Sequence, residues 1–366
     1  MRYPEFLKKN GVIGFVAPAF GCNTEPYKSR FDCAREVLRE CGYGEKLGPN
    51  CYLGEGIGIS NSPEKCAGEL MEGYLDPESD VLISCGGGEL MCEVISHVDF
   101  DRIREADPKW YLGYSDNTNM TFLLETLCDV AAVYGPNAGS FGMHPWHESL
   151  KDTLDILGGS LREVHGYEKW ERESLATAEN PLAPLNLQEE RVLKLWVPWE
   201  RGGVSTEEDE RDSGRLVEDA RRFHGNLRMR GRMIGGCMDC LVNLTGTRFD
   251  KVREFQERYA EDGFLWFLEA CDLNVFSIRR AMWQMEEAGW FRYVKGFLIG
   301  RPLCHGQEMM GLDAYEAVLA VARKYRVPVV MDADLGHLPP AMPIVSGSIG
   351  TVEVIGNDIR IAYEYR

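Results

Sequence analysis

"KWYLGYSDNTNMTFLLETL", Lys109 to Leu127, is the stretch on which the fold turns. An apolar, aromatic run of strand length ends near Gly113, a polar turn follows, and apolar residues then recur with helical spacing. That is strand, turn and helix, and the chain repeats the pattern on both sides. Upstream, "GVIGFVAPA" (Gly11 to Ala19) is a β-rich run closed by Gly and Pro, and the helical pattern "YKSRFDCAREVLRECGY" follows it. "PEKCAGELMEGYLD" has helical spacing and leads into "SDVLISCGGGE", a buried-strand pattern that ends in three glycines. Downstream, "AAVYGPN" supplies another strand. Strands alternating with helices predict an α/β fold whose N-terminal part is a mainly parallel sheet with helices on both faces.

Between about Tyr167 and Arg222 the character changes, with "WERESLATAENPLAPLNLQEE" and "WERGGVSTEEDERDSG" rich in charge, Pro, Gly and Ser. This reads as a connector with an exposed acidic loop near Glu207 to Asp212. Beyond it come "GRMIGGCMDCLVNLTGT", the strand "GFLWFLEAC", the helix "VFSIRRAMWQMEEAGW", the strand "VKGFLIGRP", the helix "AYEAVLAVARKY" and the strand "VPVVMDADLG". "GTVEVIGNDIRIAYEY" alternates like a hairpin around Gly356-Asn357. The expected organisation is an N-terminal α/β domain (1–165), a charged connector (166–222), and a smaller mixed α/β or β-rich C-terminal domain (223–366).

Composition narrows the function. At 366 residues, with 44% hydrophobic and 27% charged residues, the chain can bury a large core. No apolar run reaches the roughly 18 residues that would cross a bilayer, so no membrane partner is expected. The net charge of -18 argues against nucleic acid, whose phosphates need clustered Lys and Arg. The opening "MRYPEFLKKNGVIGFVAPAFG" lacks the pattern of an export signal. The twelve cysteines are scattered, mostly within apolar segments. A reducing, cytoplasmic location is the expectation.

Three residues stand at the ends of predicted strands with the chemistry of a hydrolase. Ser115 in "GYSDN" lies where a strand-to-helix turn could present a nucleophile, although Asn117 replaces the last glycine of G-x-S-x-G and the local sequence by itself favours a helix cap. Glu269 ends a strongly apolar strand, so its carboxylate needs a partner: a histidine, or Arg279 or Arg280 in the next helix. His337 sits in a loop past another strand, flanked by Gly336 and prolines. In order they make a Ser, acid, His set. The glycines 86–88 permit close backbone approach, which suits an oxyanion hole or a carboxylate cradle. Cys237-x-x-Cys240 has no second pair and does not read as zinc, and His144 and His147 read as surface loop. No metal and no cofactor are expected.

The residues resemble the LD-carboxypeptidases, serine peptidases that include muramoyltetrapeptide carboxypeptidases and microcin C self-immunity peptidases. The matching stretches are "VAPA", "SCGGGE", "GYSDNT", "YGPN", "GRMIGGCMDCLVNLTGT", "FLEACD" and "GHLPPAMPIVSG", in family order from about Gly11 to Gly350. The resemblance implies a site in the groove between two domains. In it, Ser115 would attack, His337 would act as base and then acid, Glu269 would orient the histidine, and Gly87, Gly88 and Asp116 would line the oxyanion and substrate-binding side. It also implies metal independence and a homodimer. Two positions depart from the family: Gly235-Gly236-Cys237 stands where many relatives have Gly-Gly-Asn, and Leu273 stands where they often carry a charge. The long connector with Trp170, Trp196 and Trp199 resembles the microcin-immunity branch, where aromatic groups stack on the nucleotide of a peptidyl or aminoacyl adenylate. The expected substrate is therefore a small peptide or a peptidyl or aminoacyl nucleotide. Murein tetrapeptide hydrolysis, or non-catalytic binding of a peptide or nucleotide, are the alternatives.

Overall fold

The computed structural model describes residues 1–199 and 213–366. The alternation around Lys109–Leu127 folds into a six-stranded sheet in the order Ile344–Ser346, Ala132–Tyr134, Trp110–Gly113, Val81–Ser84, Val12–Val16, Gly44–Leu47. The five N-terminal strands are parallel; Ile344–Ser346 joins antiparallel from the far end of the chain. This is a doubly wound order. Connections leave Val12–Val16 and Val81–Ser84 toward opposite sides, which opens a crevice at the carboxyl ends of those strands. Phe20 N–H donates to the Gly87 carbonyl at 2.6 Å across that crevice.

The second sheet has nine strands, in the order Gly214–Val217, Lys194–Pro198, Val329–Ala333, Val294–Gly300, Phe264–Glu269, Asn226–Cys237, Ile349–Ile355, Asp358–Glu364, Glu163–His165. Its four central members run parallel, so Cys237, Glu269 and the segment after Ala333 emerge at one end. The hairpin expected around Gly356-Asn357 forms as Ile349–Ile355 with Asp358–Glu364.

The described residues of 166–222, a span expected as a connector, carry four strands. Lys169–Glu171 pairs with Leu187–Glu190, while Lys194–Pro198 and Gly214–Val217 extend the second sheet. "KLWVP" is apolar enough for a strand, but the charged residues on either side dominate any longer window. The acidic run Glu207 to Asp212 lies outside the described residues.

The helix Thr118–Cys128 is buried at every position except Leu127. A helix buried on all faces needs cover on all faces, and here both halves of the chain supply it. Phe122 stacks on Trp290 at 5.3 Å, and the Cys237 N–H donates to Thr118 Oγ1 at 3.0 Å. The turn that starts this helix is thereby held between the two sheets. Among the described residues, no helix is long and apolar enough to cross a membrane.

One buried acid on this helix makes stability depend on pH. Glu125 is fully buried, takes a hydrogen bond from the Ser346 hydroxyl at one carboxylate oxygen and, among the described residues, has no partner at the other. Burial pushes its carboxyl up to about 8. Because that lies above the unfolded value, the folded state binds the extra proton, and stability falls as pH rises from the ordinary carboxylate range through about 8. Glu125→Gln removes this dependence. Its Tm is expected to exceed that of the parent by a margin that grows between pH 5 and pH 8, as thermal unfolding at each pH would show.

Candidate active site

Ser115 terminates the strand Trp110–Gly113 with φ +65, a left-handed conformation uncommon for a residue with a side chain. Such a conformation costs of order 1–3 kcal/mol and persists only where surroundings fix it. Asn117 provides much of that fixing. Its side-chain amide donates to the carbonyls of Gly86 (2.8 Å) and Tyr114 (3.2 Å), and its oxygen accepts from the Tyr111 hydroxyl at 2.5 Å. The residue that breaks the G-x-S-x-G pattern is thus the one that ties the serine turn to the glycine loop.

The three candidate residues meet. Ser115 Oγ lies 2.8 Å from His337 Nε2, and His337 Nδ1 lies 2.8 Å from Glu269 Oε2. With Nδ1–H donating to the carboxylate, Nε2 is left to accept the serine hydroxyl proton. Glu269 is fully buried, and the His337 side chain is 12% exposed. Gly336, at φ +97, makes this approach possible, because a β-carbon there would stand 2.6 Å from Glu269 Oε2. Arg279 and Arg280, the other partners considered for Glu269, make no hydrogen bond to it: Arg280 donates to Ser277 Oγ at 3.0 Å, and one Arg279 guanidinium nitrogen is buried without a partner among the described residues.

Charge follows from the geometry. Burial disfavours the imidazolium, but the Glu269 carboxylate beside it, with Cys271 and Tyr114, outweighs that and holds His337 well above the usual histidine value of 6.5. Burial likewise works against ionised Glu269, yet His337 and the hydrogen bonds to its oxygens keep its carboxyl below the ordinary range. The two groups titrate as a coupled pair, and the imidazole must lose its Nε2 proton before that nitrogen can accept one from Ser115.

The glycine loop faces the serine. A β-carbon on Gly87 would come within 3.3 Å of Ser115 Oγ. Among the described residues, the backbone N–H groups of Gly87, Gly88 and Asp116 donate no hydrogen bond. The Asp116 side chain braces the loop: its carboxylate accepts from Met91 N–H at 2.9 Å and Asn119 Nδ2 at 3.0 Å, and burial pushes its carboxyl up to about 6.

Two supports went unread in the sequence. Tyr134 gives its hydroxyl proton to Glu269 Oε1 at 2.6 Å and accepts the Ser115 N–H at 3.2 Å. Arg301, 1% exposed, donates to the carbonyls of Asp332 (2.8 Å) and Leu338 (3.2 Å) and pairs with Asp334 at 2.7 Å. It clamps the His337 loop from both sides. Tyr134 lies in an apolar strand and looks like core, and a lone Arg after a glycine carries no pattern.

The remaining expectations fall as follows. Cys237 is buried, and its thiol donates to Asp239 at 3.3 Å; that carboxylate also accepts the N–H groups of Cys271 and Asp272. Leu273 packs against the core. His147 caps the helix Glu148–Leu157, and among the described residues no group of three or more His, Cys, Asp or Glu could hold a metal ion. Trp170 lies beside the histidine loop, where Glu171 N–H donates to Pro339 O at 2.7 Å, but it is 4% exposed and stacked with Arg301 and Arg172. Trp196 is buried, while Trp199 is 54% exposed and follows the strand Lys194–Pro198 toward the end of the sheet opposite His337. None of the three is both exposed and at the site.

Comparison with known proteins gives a consistent result. Residues 13–135 match the LD-carboxypeptidase N-terminal domain, and residues 230–352 match the LD-carboxypeptidase C-terminal domain. The microcin C7 self-immunity protein MccF of Escherichia coli is 24% identical over 98% of this chain and 95% of its own. A crystal structure of an MccF-like protein from Bacillus anthracis superposes with TM-score 0.78 at 21% identity, covering all of both chains. MccF in complex with aspartyl sulfamoyl adenosine superposes with TM-score 0.77 at 20% identity over 100% of this chain and 99% of that one.

Proposed function

Since this chain belongs to the LD-carboxypeptidase family of serine peptidases, we propose that Ser115, His337 and Glu269 are its catalytic triad and that it cleaves an amide next to a terminal acidic group, in the manner of microcin immunity, on peptidyl or aminoacyl adenylates. The observation that carries this reading is the continuous chain Ser115 Oγ, His337, Glu269, with 2.8 Å at each link. His337 takes the serine proton as Ser115 attacks the carbonyl, and the imidazolium is stabilised by Glu269. The oxyanion is received by the N–H groups of Gly87, Gly88 and Asp116. His337 then protonates the leaving amine, and water releases the acyl group by the reverse relay. The same reading includes a homodimer, a cytoplasmic location, and division into a nucleophile domain (1–165), a connector (166–222) and an acid–histidine domain (223–366).

The aspartyl sulfamoyl adenosine bound by MccF supports the adenylate class. One observation favours the murein alternative: no tryptophan of the connector is both exposed and beside His337. Non-catalytic binding is disfavoured by a nucleophile already in contact with its base. A rate comparison on an L,D-linked murein tetrapeptide and an aminoacyl adenylate analogue that carries a cleavable amide separates the two substrates. The adenylate is expected to turn over faster, and EDTA is expected to leave both rates unchanged. Faster release of D-alanine from the tetrapeptide would transfer the assignment to murein recycling.

A further inference from the structure

We infer that Tyr134 is a positioning residue that closes the triad into a ring, coupling Glu269 back to the nucleophile's own backbone. This inference rests on the triad reading above. Starting at Ser115 Oγ, the path runs to His337 Nε2, through the imidazole to Glu269 Oε2, across the carboxylate to Oε1, to the Tyr134 hydroxyl, and back to Ser115 N–H. The direction of each bond is fixed by chemistry. A carboxylate can only accept, so the tyrosine must donate to Glu269, and its oxygen lone pair is then what the Ser115 amide meets.

Two consequences follow. First, both Glu269 oxygens are engaged, one by the imidazole and one by a neutral hydroxyl, so the carboxylate cannot rotate away as the proton moves. Tyr134 is fully buried, and burial with the adjacent Glu269 charge raises its own ionisation well above 10, so it remains a donor wherever the enzyme works. Second, the Ser115 N–H is committed to Tyr134 and is withdrawn from the oxyanion hole. That leaves the hole to Asp116 and the glycine loop. The same bond holds Ser115 at φ +65, the conformation that aims Oγ at His337.

Tyr134→Phe keeps the ring and removes the hydroxyl. The expected result is a fall in kcat of about 10- to 100-fold, the range for losing a charge-assisted hydrogen bond, with KM within about twofold because the hydroxyl does not touch substrate. The acidic limb of the pH–rate profile is expected to move up, since a less stabilised carboxylate holds the imidazolium proton more tightly. In a Glu269→Gln background the same change should cost less in kcat, because only the bond to the Ser115 N–H is left to lose. Wild-type kcat and limb in Tyr134→Phe, or equal losses in both backgrounds, would overturn the inference. A second measurement needs no variant: the Ser115 amide of the wild-type protein should resist hydrogen exchange although it lies in a turn, and rapid exchange there would also overturn it. A wild-type protein that hydrolyses nothing would remove the triad reading, while the exchange result would still report on the Tyr134 contact.

Discussion

Ser115→Ala is expected to lower kcat by about 10⁴-fold or more while leaving the fold intact. Among the described residues the side-chain oxygen has one partner, His337 Nε2, whose ring is 12% exposed, so its removal leaves a nitrogen that water can reach and no cavity of consequence. Its backbone amide keeps the bond to Tyr134, and alanine meets the same cost at φ +65 as serine does. The Tm should therefore stay within a few degrees of the parent. Substrate binding should persist, because the free amides of Gly87, Gly88 and Asp116 are untouched, and the variant becomes the form in which to measure binding without turnover. Retained turnover would mean that another group performs the attack.

Glu269→Gln should cost about 10⁴-fold in kcat, for a different reason. The amide is nearly isosteric, so it fits beside Gly336, but it carries no charge and can offer an N–H where His337 needs an acceptor. The imidazole then loses both its orientation and the stabilisation of its cation. The pH dependence carries the sign of the effect. In the parent, Glu269 holds His337 protonated well above 6.5, so kcat/KM should rise with pH through a limb above that value as the base is freed. Without the carboxylate the largest group favouring the cation is gone while burial still disfavours it, and the limb should move below that of the parent. A pH–rate profile of both proteins checks it; an unmoved limb would separate Glu269 from the group that titrates.

Much of the first sheet could be read from the sequence because its strands are short apolar runs set between amphipathic helices, as at "WYLGYS" and "VLISCGGG". Ser115, Glu269 and His337 were legible as strand-end residues, but not their pairing: Glu269 could have met His337 or an arginine of the next helix, and only the register of the second sheet brings its end to the Gly336–His337 loop. The strand Lys194–Pro198 was hidden by the charged residues around it. Tyr134 was hidden for the opposite reason, since a tyrosine within an apolar strand differs from a core phenylalanine only by one hydroxyl whose partner lies 135 positions away. The inserted strand Ile344–Ser346 could not be foreseen either, because nothing local says that it crosses to the other sheet.

The central claim is that His337 and Glu269 activate Ser115 as the nucleophile. Mapping the adduct of a serine-directed fluorophosphonate by mass spectrometry tests it most directly. The account predicts one label on Ser115 in the wild-type protein, with a rate that rises with pH along the same limb as hydrolysis, and almost none in His337→Ala. A label on another residue, or Ser115 labelled equally fast without His337, would contradict it.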